Sequence, residues 1–145
     1  MSILPDNPTT LSTAWMPLDG LAQHWGQFGS EATNVTALSV TSNVFAALAK
    51  ETAARSWHAL ATEEPDNLRH ALAALVLARQ QWSEALFSVT VLLRYEGGAD
   101  APLHALALDV LEQQVRLSTL ISEVEREQLA AARARVRCLE EQAHV

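Results

Sequence analysis

From Leu103 to Gln142 the chain contains neither glycine nor proline, and its apolar residues recur at helical spacing throughout. At about 100° per residue, Leu103, Leu106, Val110, Leu117, Leu120, Ile121, Val124, Ala131, Ala132 and Leu139 fall on one face. Asp109, Glu112, Arg116, Glu123, Arg126, Glu127, Arg133 and Arg137 fall on the other. Glu112 and Arg116 stand at the favourable i,i+4 spacing for an ion pair on the wet side. A helix over 102–142 would span roughly 60 Å at the usual rise. That is long for a chain of 15.8 kDa, so the pattern implies an elongated bundle or a coiled coil.

Two further helical stretches precede it. In residues 65–96, Leu68, Leu72, Leu75, Trp82, Leu86, Val89 and Leu93 form one side, widened by Ala71, Ala78, Ala85 and Leu92. Val76, Leu77, Phe87 and Val91 lie outside that arc, so this helix is expected to meet neighbours on more than one side. Breaks are expected near 62–66, at Glu63-Glu64-Pro65-Asp66-Asn67, and near 97–101, at Gly97-Gly98-Ala99-Asp100-Ala101-Pro102. Proline suits a helix's first turn and glycine its end.

The first stretch, 14–62, is less regular. Leu18, Leu21, Trp25, Phe28, Ala32 and Val35 make a stripe that then loses phase at Ser39, Asn43 and Lys50. A kink or loop is expected within 29–40, where Gly29 meets the β-branched Thr33, Val35 and Thr36. Residues 1–13, with Pro5 and Pro8, read as a flexible N-terminal arm. The expected fold is all-α: one helical domain over 14–145, an elongated bundle or coiled coil of three long helices, the first kinked or broken. Alanine and leucine, the best helix formers, fill about a third of the chain.

Composition narrows the function. The net charge of −7 disfavours nucleic acid and anionic lipid as partners. No apolar run is long enough for a transmembrane segment. The single cysteine, Cys138, allows no internal disulfide and fits a reducing compartment. Met1-Ser2-Ile3-Leu4-Pro5-Asp6 lacks the basic and apolar regions of a signal peptide, so a cytoplasmic location is expected. The five histidines show no metal-ligand spacing, and no phosphate-loop, dinucleotide or nucleophile-elbow motif occurs. Neither catalysis, a cofactor nor a metal is therefore expected. Arg133, Arg135 and Arg137 form a basic run amid glutamates, read as a solvated helix end, with an anion site as the alternative. Arg79, inside an apolar arc, is expected to snorkel or to pair with a neighbouring helix.

Residues 46–87 carry a distinctive texture: Ala46-Ala47-Leu48-Ala49-Lys50-Glu51-Thr52-Ala53-Ala54-Arg55, Trp57-His58-Ala59-Leu60-Ala61, Glu64-Pro65-Asp66-Asn67-Leu68 and Gln80-Gln81-Trp82-Ser83-Glu84-Ala85-Leu86. A helix ending in an acid-proline break, followed by an Ala/Leu/Gln-rich helix, resembles the phasins, small proteins that coat polyhydroxyalkanoate storage granules in bacteria. The resemblance implies a non-catalytic, granule-associated coat protein whose amphipathic helices meet an uncharged polyester surface. The alternative is a coiled-coil adaptor or chaperone that binds a partner helical protein by helix packing. Either reading predicts a homo-oligomer, because the apolar arcs exceed what one small bundle can cover. Residues 32–49 carry no charge at all, and with the stripe before them they define the expected interaction surface: Leu21, Trp25, Phe28, Val35, Leu38, Val40, Val44 and Phe45. An uncharged stretch is equally what a buried inter-helix seam shows.

Overall fold

The computed structural model describes residues 15–95 and 101–144. They form four helices: α1 (Asp19–Ser30), α2 (Val35–Leu60), α3 (Asn67–Tyr95) and α4 (Ala101–Ala143). No strand occurs among the described residues, so the fold is all-α. The expected count of three helices is corrected to four. The first stretch is broken rather than kinked: two helices flank residues 31–34, inside the expected interval 29–40. Asn34 starts the second: its backbone is extended and its Oδ1 accepts from Ala37 N at 2.8 Å, the geometry of an N-cap. The 1–13 arm and positions 97–100 of the second expected break lie outside the described residues.

Each long helix buries residues at alternating steps of three and four. In α2 these are Ala37, Val40, Val44, Ala47, Glu51 and Ala54. In α3 they are Leu68, Ala71, Leu75, Ala78, Trp82, Ala85, Val89 and Leu92. In α4 they are Leu103, Leu106, Val110, Gln113, Leu117, Leu120 and Val124. Leu48, Ala74 and Ile121 are buried beside these seams, so each seam is a heptad-like stripe broadened by a flanking residue, as in a packed helical bundle. Alanines dominate the α2–α3 seam, and among the described helices this pair shares the most extensive contact, followed by α3 with α4. Small side chains permit that proximity, since interaxial distance follows the residues at the contact.

The short helix α1 packs against α2 and buries Leu21 and Trp25. Trp25 meets Trp82 edge-on with ring centroids 6.0 Å apart, a favoured aromatic geometry. The close approach of the last turn of α1 to α2 depends on Gly29: a Cβ there would lie 2.6 Å from Thr41 Cγ2 and 3.0 Å from its hydroxyl. Thr41 is β-branched and its hydroxyl already donates to the Ala37 carbonyl at 3.2 Å, so it has little room to yield. Gly29→Ala should therefore destabilise the protein by about 1–3 kcal/mol in urea unfolding. Adding Thr41→Ala should recover most of that loss; an unchanged midpoint in the single variant would contradict the close approach.

Candidate interaction surface

The structure divides the eight expected surface residues. Leu21, Trp25, Val40 and Val44 are core residues, the last three with no exposure. Assigning these four to an outer surface is corrected: their phase follows the 3.5-residue seam of the bundle. Phe28 is partly buried against the core and touches Trp25, with ring centroids 5.7 Å apart. Val35, Leu38 and Phe45 are exposed. The uncharged stretch is thus a buried seam along one side of α2 and an apolar outer face along another.

Beneath that surface runs a polar chain that sequence reasoning missed. Glu51 occupies a core position with no exposure. Arg116 grips it with both terminal nitrogens, Nη2 to Oε1 at 2.6 Å and Nη1 to Oε2 at 2.7 Å. Arg55 donates to Oε2 at 3.0 Å and also to the Met16 carbonyl, and its guanidinium sits 5.6 Å above the Trp15 ring. Arg116 Nε donates to Gln113 at 2.9 Å, Gln113 to Asp109 at 3.3 Å, and Trp25 Nε1 to the other Asp109 oxygen at 2.9 Å. His58 Nε2 lies 2.7 Å from Glu127 Oε2. Arg116, expected outside beside Glu112, instead turns inward. This chain ties α1 and α2 to α4. Both Glu51 oxygens are occupied by arginine, which makes the group a clamp between α2 and α4. Among the described residues, no group of three or more His, Cys, Asp or Glu is placed to hold a metal ion.

The outer side of α4 carries a second series, apolar at both ends and polar in the middle at Ser118, Ser122 and Glu125. Leu108, Leu111, Val115, Ser118, Ser122, Glu125, Leu129, Ala132, Val136 and Leu139 also advance by alternating steps of three and four, out of phase with the buried seam. Its large members are exposed: Leu108 by 61%, Val115 by 67%, Val136 by 54% and Leu139 by 59%. Beside it an open groove of about 680 Å³ runs between α3 and α4, lined by Leu111, Val115, Ser118 and Ser122 of this series and by Arg79 and Ser83. Arg79 reaches across to Ser118 Oγ at 3.3 Å and Gln114 to Ser83 Oγ at 2.5 Å, so the groove floor is latched by polar contacts. No described residue beyond Val124 is buried; Asp66 meets Arg135 at 3.3 Å as an exposed ion pair. The described part of α4 thus carries two series at this spacing, one buried inside the bundle and one exposed.

No helix among the described residues is long and apolar enough to cross a membrane. No family model matches the chain, and neither a curated protein nor a solved structure matches it significantly.

Proposed function

We propose that this is a non-catalytic helix-docking protein, which seats a partner helix on the outer face of α4. The observation that carries this reading is the second heptad series on a helix whose first series is already satisfied. A narrow seam at 3.5-residue spacing matches another helix, whose side chains it can interleave. A flat polymer surface would be better served by a broad arc. The charged positions beside the seam suit a water-exposed rim.

The test is crosslinking in the cell. A photoreactive residue at Val115 or Leu129 should give discrete protein adducts, whereas one at Glu123 or Arg137 should not. Equal labelling at both sets of positions, or no protein adduct from the seam, would overturn the reading.

A second reading is supported by the other exposed apolar face. Val35, Leu38 and Phe45 stand in the uncharged stretch of α2, and Phe87 of α3 is 72% exposed. Phe87 borders a groove shared with Ser39 and Asn43 of α2. Apolar rings among hydroxyl and amide groups suit a polyester, as in a phasin-like coat of cytoplasmic polyhydroxyalkanoate granules. A fluorescent fusion should then decorate granules in polymer-accumulating cells, and Leu38→Glu with Phe45→Glu should release it. Diffuse fluorescence of the unaltered fusion would eliminate the coat.

A further inference from the structure

We infer that α1 is a lid, which lifts as a unit from a cleft floored by Trp82 while α2, α3 and α4 stay folded. The helix is weak in itself. Three of its twelve residues are glycine, the poorest helix former after proline, and so short a helix is not stable alone in water. Leu18 at its N-cap supplies no side-chain bond, whereas Asn34 supplies one to α2. Packing requires only Gly29 of the three glycines. A Cβ at Gly20 would meet nothing within 4 Å, and one at Gly26 would make an ordinary contact with the Phe45 ring at 3.7 Å.

The anchorage of α1 is correspondingly thin. It buries only Leu21 and Trp25 and packs chiefly on α2. Trp25 holds it to the other two helices: the ring meets Trp82 of α3, and Nε1 donates to Asp109 of α4. An open cleft of about 420 Å³, lined by His24, Phe28, Pro102 and Leu106, lies between the far end of α1 and the start of α4. The chain on either side of α1 is fastened. Arg55 donates to the Met16 carbonyl before it, and beyond the non-helical residues 31–34 the Asn34 cap starts α2. A lid tethered at both ends can lift and reclose in one register. Closure also has a cost. Trp82 is fully buried, and its Nε1 has no hydrogen-bond partner among the described residues. Lifting Trp25 off that ring admits water to the indole N–H, which offsets part of the burial lost.

Native-state hydrogen exchange on the full chain tests the lid. Relative to intrinsic rates, backbone amides of residues 23–28 should exchange at least roughly 100-fold faster than those of the buried Leu75, Ala78 and Ala85 in α3. Low urea should speed the α3 amides and leave the α1 amides nearly unchanged, because a local opening exposes little surface. The indole N–H of Trp82 should exchange with the α1 group, although the backbone amide of the same residue follows α3. Gly26→Ala should slow the α1 group about fivefold. Trp25→Phe, which keeps a ring but removes the donor to Asp109, should speed it roughly tenfold. Equal protection and equal urea dependence in α1 and α3 would overturn the lid, since α1 would then open only with the whole bundle. Unprotected α1 amides would overturn it as well, because there would be no closed state. A Trp82 indole that exchanges with the α3 amides would show that α1 does not cover it, and the cleft would fall.

Discussion

Glu51→Ala should cost about 3–5 kcal/mol of stability, the usual penalty for breaking a buried ion pair from one side. Two guanidinium groups would lose their shared carboxylate, and Arg116, with a side chain only 12% exposed, could not readily recover solvation. The loss should appear as a lowered midpoint in urea unfolding followed by circular dichroism. Glu51→Leu combined with Arg116→Leu should lie much closer to the wild type, because replacing both members removes the uncompensated charge. A single variant as stable as wild type would mean that the clamp contributes little. A double variant no better than the single would mean that its hydrogen bonds, rather than charge compensation, dominate.

Val40→Glu should be similarly severe, with a loss of more than about 3 kcal/mol, because it places an unpaired carboxylate on a fully buried seam. Val35→Glu, five residues earlier, should change stability by no more than about 0.5 kcal/mol. Val35 is 82% exposed and lies in the first turn of α2, where an acidic group favours the positive end of the helix. Parallel unfolding curves of the two variants would separate core from surface on one helix. Equal destabilisation by both would place the outer face of α2 inside the bundle.

The all-α character and the break near 62–66 were legible because helix formers and their punctuation act locally. The inner seam of α4 was plain up to Val124, where leucine and valine fill nearly every position, but Ala132 and Leu139, read onto the same face, lie exposed on the outer series. The first stretch was harder. A stripe followed from Leu21 through Val35 runs across a real break, and Asn34 restarts the phase, so the same count carried onward lands on Ser39, Asn43 and Lys50. The seam of α2 also places Glu51 where an apolar residue belongs. Nothing local reveals that; the reason is Arg116, distant in sequence and delivered only by folding. Leu108, Leu111, Val115, Leu129 and Val136 went unassigned for a different reason. One helical face accounts for only part of the apolar residues of α4, and the second series becomes visible only once the first is known to be occupied. Arg79 was read more successfully as an arginine reaching a neighbouring helix, and it meets Ser118.

The lack of buried residues past Val124 makes α4 a graded structure rather than a uniform rod. Its backbone amides up to Val124 are anchored by the core and can exchange with solvent only when much of the bundle opens. Further along, the same hydrogen-bonded spiral continues through Arg133, Arg135 and Arg137 without that anchorage, so fraying from the far end is governed by local helix–coil equilibrium. Deuterium uptake and cleavage by an arginine-directed protease thus read occupancy of this end directly, slow where a second helix covers it and fast where none does.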